Sequence, residues 1–223
     1  MHIKLIYSLP TILVLLLVLF SSQVYAVPGR GVLYGTDAGA GNLVRVNPNN
    51  GVGTVVGPTG VGGLPSLAIN FNTIFAGSGG GDSNLFELDP NTGTATFIGF
   101  SGLPFAAISG MDFSASGALC AAVNIVADGG SGGDHLAIID PNTGLATVIG
   151  PFGICQGGPN GSCTSDGIEA IAFDAQGNLW GSLRASPNGS GTPGLYLIDT
   201  GTGAASFVSP IVDTNGTPVN RGG

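Results

Sequence analysis

Positive charge is almost absent from this chain. Its 223 residues include 5 Lys and Arg against 13 Asp and Glu, a formal net charge of −8, and the one lysine is Lys4. So acidic a chain cannot neutralise a phosphate backbone, which excludes nucleic-acid binding. Because no lysine follows Lys4, covalent catalysis by a lysine is excluded for residues 5–223.

Histidine is equally scarce. His135 is the one histidine beyond position 2, so a Ser-His-Asp mechanism would rest on it alone. It follows a Gly-rich segment, where we expect a solvated loop histidine. A zinc site needs several His or Cys ligands, and no haem or quinone motif occurs, so we expect no cofactor of these kinds.

Charged residues make up only 8% of the chain, and 41 residues are glycine, a composition that by itself suggests disorder. Hydrophobic residues, however, account for 43%, and Val, Ile and Phe are frequent among them. Disordered chains are poor in these residues. The chain should therefore fold.

The N-terminus has the pattern of a secretory signal peptide. Lys4 precedes an apolar run over residues 5–20, and a Val-x-Ala step ends at Ala26. The run contains Pro10 and is shorter than the roughly 20 residues that span a bilayer. Cleavage after Ala26 is therefore favoured over an uncleaved anchor. We expect a secreted protein, extracellular or at the periplasm or cell surface, with no membrane contact after cleavage.

Export makes the cysteines informative, because disulfides persist in oxidising compartments. Cys155 and Cys163 flank the loop CQGGPNGSC, and we predict a disulfide between them. So small a loop contributes about 2 to 3 kcal/mol at most. Cys120 lies among Leu, Ala and Val residues and is expected to be a buried free thiol.

An internal repeat decides the fold class. Each copy is a short apolar run, a turn and a second run rich in Thr, Val, Ile and Phe. The sequence Asp-Pro-Asn-Thr-Gly supplies the residues that hairpin turns require, so we interpret it as a turn and not as a ligand loop. The copies are LVRVNPNNGVGTVVG (43–57), LFELDPNTGTATFIG (85–99), LAIIDPNTGLATVIG (136–150) and LYLIDTGTGAASFVS (195–209).

A second repeated unit precedes the first. IEAIAFDAQGNLWGS (168–182) matches ISGMDFSASGALCAA (108–122), SLAINFNTIFAG (66–77) has a turn one residue shorter, and only VLYG (32–35) remains of the earliest copy. A full unit therefore has four strands and recurs at about 40 to 60 residues, which is typical of β-propeller blades. Trp180 aligns with Tyr34, Phe75 and Cys120, so we expect it to pack between blades.

The pattern IAFDxxGxLWG followed by LYxIDxxTG resembles the secreted bacterial β-propeller repeat proteins of the NHL, YVTN and WD40-like group. The resemblance covers about residues 32–210. It implies an all-β propeller of four-stranded antiparallel blades, a scaffold that hosts binding, scaffolding and enzymatic roles alike. The chain has no WD dipeptide at the end of the third strand of a blade and no catalytic motif of these families.

The predicted domains are a signal peptide (1–26), a propeller domain (27–210) and a tail or the start of a further blade (211–223). The blades are expected at about 32–57 (partial), 64–99, 108–150 and 168–210. The ring is thus either a minimal four-bladed one or incomplete, and we favour a continuing gene or incomplete closure because IVDTNGTPVNRGG is a poor strand. An open ring would expose strand edges and favour self-association.

Long variable connections follow the second and fourth strands of each unit, so they share one end of the scaffold, and we expect a binding site there, near the channel mouth. The candidates are Phe100, Phe105 and Phe152 as apolar contacts and Asp166 and Glu169 as polar ones. Glu169 begins a first strand. Its counterparts there are Ser109 and, by spacing, Pro65.

Calcium is the one metal that the chemistry allows, since oxygen ligands on Gly-rich loops suit it. The candidate ligands are Asp82, Asp128 and Asp134. No EF-hand spacing occurs, and solubilising loop acids are the alternative interpretation.

The leading function is a non-catalytic binding or scaffold module with a protein or glycan ligand. The alternative is a propeller hydrolase or lactonase with a metal-assisted site at the channel mouth. The latter predicts convergent acids on the first strands, where only Asp112 and Glu169 are found.

Overall fold

The computed structural model describes residues 31–37, 39–104, 107–125, 133–154, 167–183 and 192–216. The predicted signal peptide, Phe105, Asp128, Asp166 and the Cys155–Cys163 pair lie outside the described residues, so these predictions stay predictions. Every regular element described is a β-strand. Within the described part of the chain, no helix is long and apolar enough to cross a membrane.

Fifteen strands form four antiparallel sheets, each built from strands that are consecutive in sequence. The prediction of an all-β propeller with four blades is confirmed. The first blade has three strands and the other three have four. The strands are β1 (Leu33–Asp37), β2 (Asn42–Val46), β3 (Gly53–Pro58), β4 (Ser66–Asn70), β5 (Thr73–Gly77), β6 (Asn84–Leu88), β7 (Ala95–Phe100), β8 (Ala107–Phe113), β9 (Leu119–Asn124), β10 (His135–Ile139), β11 (Ala146–Pro151), β12 (Ile168–Phe173), β13 (Leu179–Leu183), β14 (Gly194–Ile198) and β15 (Ala205–Ser209).

The first strand of each full blade lies innermost. β8 packs against both β4 and β12, which places these three strands side by side around the axis. The fourth strands β7, β11 and β15 then lie at the outer rim, because each sheet runs in strand order from the inside out. The first blade lacks an innermost strand of this kind among the described residues. Its β1, β2 and β3 therefore correspond to the second, third and fourth strands of the other blades.

The turns between third and fourth strands form as the repeat predicts. In the second blade the Asp89 carboxylate accepts a hydrogen bond from Asn91 N (2.8 Å), and Gly93 N donates to Asp89 O (2.8 Å). Gly93 has a φ of +81°, which glycine adopts without steric cost. The turns at Asn47, Asp140 and Asp199 repeat this geometry.

Alternating side chains give every blade two faces. We call the face toward the following blade the outgoing face and the other the incoming face. The described residues form three hydrophobic clusters, one between each pair of successive blades. Leu43, Leu85 and Leu136, on the third strands, each lie fully buried on an outgoing face. The outgoing face of the fourth blade has no such cluster among the described residues.

Candidate functional site at the loop-bearing end

Phe100 ends β7 at the loop-bearing end of the second blade. It is 65% exposed, the most of the three predicted ligand contacts that the structure describes. Its ring packs edge-to-face on Phe97, with centroids 5.0 Å apart, and Phe97 packs in the same way on the buried Phe86 at 5.7 Å. This stack fixes an exposed aromatic surface on a rigid strand. We call Phe97 and Phe100 the aromatic pair.

Phe100 breaks the repeat, whereas Phe97 has an equivalent in Phe207 of the fourth blade, which stacks on Tyr196 as Phe97 stacks on Phe86. The positions equivalent to Phe100 in the other blades are Pro58, Pro151 and Pro210, which follow the same point of the fourth strand. The fold therefore does not need an aromatic side chain there. A large exposed aromatic residue that the scaffold does not require is a candidate for binding. The replacement of proline by Phe100 is visible in the aligned repeat copies of the sequence.

Phe152 does not join Phe100. It is 1% exposed and packs in the cluster between the third and fourth blades, so it offers no surface to a ligand in this structure. Its burial has a local cause, because Phe152 N donates to Asp134 O (3.0 Å) and its own carbonyl accepts from Ala205 N (2.9 Å). These bonds hold the residue between two blades.

Glu169 lies on the innermost strand of the fourth blade, whereas Phe100 lies at the outer rim of the second. The predicted residues that are described therefore do not form one cluster at the channel mouth. Glu169 sits at an irregularity in the pairing of β12 with β13, and Ser109 occupies the same irregularity in β8. Both residues lie on the innermost strand of their blades.

Sequence reasoning missed a pair of serine links between innermost strands. Ser66 Oγ donates to Ile108 O and Ser109 Oγ donates to Ile168 O, each at 2.8 Å, so each hydroxyl joins its blade to the next. Both serines are buried. Ser66, rather than Pro65, is thus the counterpart of Ser109 in the second blade. The one-residue irregularity in β8 hid this equivalence in the alignment.

Asp112, the other first-strand acid, also joins blades. Its Oδ2 accepts a hydrogen bond from Phe173 N of the next blade (2.7 Å), and its Oδ1 accepts from Phe113 N (2.9 Å). Phe113 in turn packs on Phe75 of the preceding blade at 5.4 Å. Both carboxylate oxygens of Asp112 are therefore used in backbone hydrogen bonds, and Asp112 does not form a shared site with Glu169.

Asp134 departs most clearly from its predicted environment. We expected a loop acid, but Asp134 is 7% exposed, and its Oδ1 accepts hydrogen bonds from Ile125 N (3.1 Å) and from His135 Nδ1 at 2.8 Å. Its Oδ2 is buried and has no hydrogen-bond partner. His135 is accordingly held by a hydrogen bond to Asp134 through Nδ1, and is not a freely solvated histidine.

Two of the three proposed calcium ligands, Asp82 and Asp134, are described, and they differ in environment. Asp82 is exposed on the connection between β5 and β6, and Asp134 is buried before β10. Among the described residues, no group of three or more His, Cys, Asp or Glu side chains could hold a metal ion. Asn84 Oδ1 and Asp134 Oδ2 are buried and unpartnered, and an oxygen-seeking cation accepts amide and carboxylate oxygens of this kind.

The turn acids have a structural function. The pKa of Asp174 is lowered to about 2, chiefly because the Trp180 indole N–H donates to its carboxylate (2.8 Å) and secondly because Asn178 does. Hydrogen bonds from the turn backbone likewise lower the pKa of three further carboxyls, those of Asp89, Asp140 and Asp199. These carboxylates are occupied within their own turns, which leaves them poorly placed to act on a substrate.

Cys120 and Trp180 test the prediction of packing between blades. Cys120 is free and buried in the cluster between the third and fourth blades, which confirms the prediction for it. Burial raises the pKa of its thiol. Trp180 occupies the same position of the fourth blade but is only partly buried, because no further blade covers it among the described residues.

Comparisons with known proteins identify the fold and no family. No protein-family model matches the chain, and no curated protein matches it in sequence. Among solved structures, the chain is similar to one from a nidogen/laminin complex, with a TM-score of 0.52 and 12% identity over 78% of this chain and 57% of that one.

Two further similarities are weaker. The PQQ-bound aldose sugar dehydrogenase of Streptomyces coelicolor has a TM-score of 0.49 and 14% identity, covering 87% of this chain and 81% of that one. The calcium-binding protein regucalcin of Agrobacterium tumefaciens has a TM-score of 0.45 and 15% identity, covering 81% and 56%. The chain spans little more than half of the nidogen/laminin chain and 22% of an extracellular domain from B. thetaiotaomicron that it also resembles.

Proposed function

We propose that this chain is an exported, non-catalytic binding or scaffold module that contacts a protein or glycan partner through the aromatic pair. The observation that carries the proposal is Phe100, which is 65% exposed, held by Phe97, and placed where the three other blades have proline. Rigid aromatic side chains supply much of the energy of binding interfaces at a small entropic cost.

A propeller in a nidogen/laminin complex gives a precedent for protein binding by this architecture, at the level of the fold alone. Export is part of the proposal and depends on the signal-peptide pattern at residues 1–26. A partner outside the cell would meet the blade as a preformed surface, because β7, which holds the aromatic pair, is paired with β6 at both Phe97 and Phe100.

The decisive variant is Phe100→Pro, which restores the residue of the other blades and removes the aromatic ring. Purified protein would be tested against an array of extracellular-matrix proteins and glycans. We expect at least one ligand to bind wild type and to lose tenfold or more in affinity with Phe100→Pro. Phe71→Ala is the control, since Phe71 is 95% exposed on the turn between β4 and β5, at the opposite end. Equal binding by wild type and Phe100→Pro would refute the assignment.

A metal-assisted hydrolase or lactonase is the second candidate, and the buried, unpartnered Asp134 Oδ2 beside His135 is what favours it. A cation there would satisfy the oxygen and polarise a bound carbonyl. The test is thermal melting with calcium and then with a chelator, together with hydrolysis of simple lactones and esters. A raised melting midpoint that Asp134→Asn abolishes would support the cation; no shift and no turnover would dismiss this candidate.

A further inference from the structure

The same contact joins each blade to the next at the outer rim. The glycine near the end of one fourth strand lies directly against the turn of the following blade: Gly57 against Thr92, Gly99 against Thr143, and Gly150 against Thr202. A Cβ atom on any of these glycines would overlap the threonine carbonyl oxygen, far inside the 3.0 Å that real Cβ contacts keep. We call Gly57, Gly99 and Gly150 the docking glycines.

A backbone hydrogen bond accompanies every docking glycine. Two residues further along, the carbonyl oxygen accepts from the first residue of the next fourth strand, at 2.9 Å in each case. All three acceptor residues are buried. The bonds run from Ala95 N to Thr59 O, from Ala146 N to Ser101 O, and from Ala205 N to Phe152 O.

The fourth blade lacks the docking glycine. Ser209 occupies this position in the repeat, so a Cβ stands where the other interfaces admit only hydrogen. Ile211, the counterpart of the three buried acceptors, is 43% exposed. The innermost strand differs too, because Glu169 replaces Ser109, and a carboxylate has no hydrogen to donate to a following strand.

The first blade, in contrast, retains the other half of the contact. Its turn at Asn47 to Gly51 has the same hydrogen bonds as the docked turns, and a Cβ built on Gly51 meets nothing within 4 Å. The four described blades therefore present an intact turn on the first blade. On the fourth they present an exposed strand with a blocked docking position. An intact pair would be a heterologous contact, which propagates from copy to copy unless it closes.

We infer that Ser209 is a steric stop that prevents the first-blade turn of a second copy from docking on the fourth blade. The stop opposes the self-association that exposed strand edges otherwise favour. It acts through the Cβ atom and not through the hydroxyl, which donates to the neighbouring Pro210 O at 3.2 Å. The inference is independent of the proposed ligand.

The test is sedimentation velocity over a range of protein concentrations. Ser209→Gly opens the docking position, and we expect it to form head-to-tail species that increase with concentration, whereas wild type does not. Ser209→Ala keeps the Cβ and should behave as wild type. Ser206→Gly, the same change on an exposed position of β15, should also leave the sedimentation coefficient unchanged.

A second substitution identifies the surface involved. A Cβ on Gly93, Gly144 or Gly203 would overlap the docking residue of the preceding blade. Gly51→Ala in the Ser209→Gly background should therefore abolish association. Circular dichroism melting of each variant verifies folding. The inference is overturned if folded Ser209→Gly sediments as wild type, if Ser209→Ala associates equally, or if Gly51→Ala leaves association intact.

Discussion

Substituting a docking glycine should loosen the whole blade series, and Gly99→Ala is the clearest case. Gly99 has no positive φ, so alanine suits its backbone conformation and the effect is purely steric. The added methyl overlaps the carbonyl of Thr143, a backbone group that cannot rotate away. Overpacking of this kind costs about 1 to 3 kcal/mol. Separating the blades also weakens the bond from Ala146 N to Ser101 O, worth about 1 kcal/mol.

The expected destabilisation is therefore roughly 2 to 4 kcal/mol, which lowers the melting midpoint of a domain of this size by roughly 4 to 16 °C. Gly62→Ala is the matched control, because Gly62 has no positive φ and open space around its Cβ position. Differential scanning calorimetry of both variants measures the effect. A Gly99→Ala midpoint within about 2 °C of the control would refute the steric account, given that each kcal/mol shifts the midpoint by about 2 to 4 °C.

Three further predictions concern single side chains. The pKa of Asp174 falls from 3.8 to about 2 on folding, so its stabilising contribution is complete above 3.8 and is lost as the pH falls toward 2; melting midpoints should fall over that range, less steeply in Asp174→Asn. The Cys120 thiol is buried and has a raised pKa, so it should react with a thiol reagent only on unfolding. Equal labelling rates for the folded protein and for the protein in denaturant would contradict its burial. Ser109→Ala removes the donor to Ile168 O and should cost about 1 to 3 kcal/mol in urea unfolding, whereas the exposed Ser116→Ala should cost little.

The repeat made the blades predictable, because both of its signals are local. Asp-Pro-Asn-Thr-Gly forms its turn from its own side chains and one glycine, and alternating apolar residues form strands wherever two faces are covered. The incomplete first blade was visible in the same way. What remained local to a blade could thus be derived from the residues alone.

The candidate site depended on which blade covers which face. Phe152 and Asp134 follow or precede strands at the loop-bearing end, and both were expected to face solvent or ligand. Both are buried instead, since the fourth blade packs over them and the backbone of Phe152 bonds to Asp134. Packing between blades joins residues that are far apart in sequence, so composition and spacing do not reveal it.

Two informative signals were nevertheless present in the aligned repeats. Glycine ends three of the four copies and serine the last, and proline follows three of them where Phe100 follows the second. A position that repeats is set by the scaffold, so a departure from it marks a special demand on that blade. The reason for the repeated glycine became clear only from the structure, in which the end of each fourth strand contacts the turn of the next blade.

The central claim is that one docking geometry joins each described blade to the next, and that Ser209 blocks it on the fourth blade. Four equivalent backbone amides test it: Ala95, Ala146 and Ala205, which donate across interfaces, and Gly53, which has no preceding blade in the described chain. Native-state hydrogen exchange by NMR measures each directly. The account predicts slow exchange at the three alanines and fast exchange at Gly53. Equal protection at all four, or fast exchange at the alanines, would contradict it.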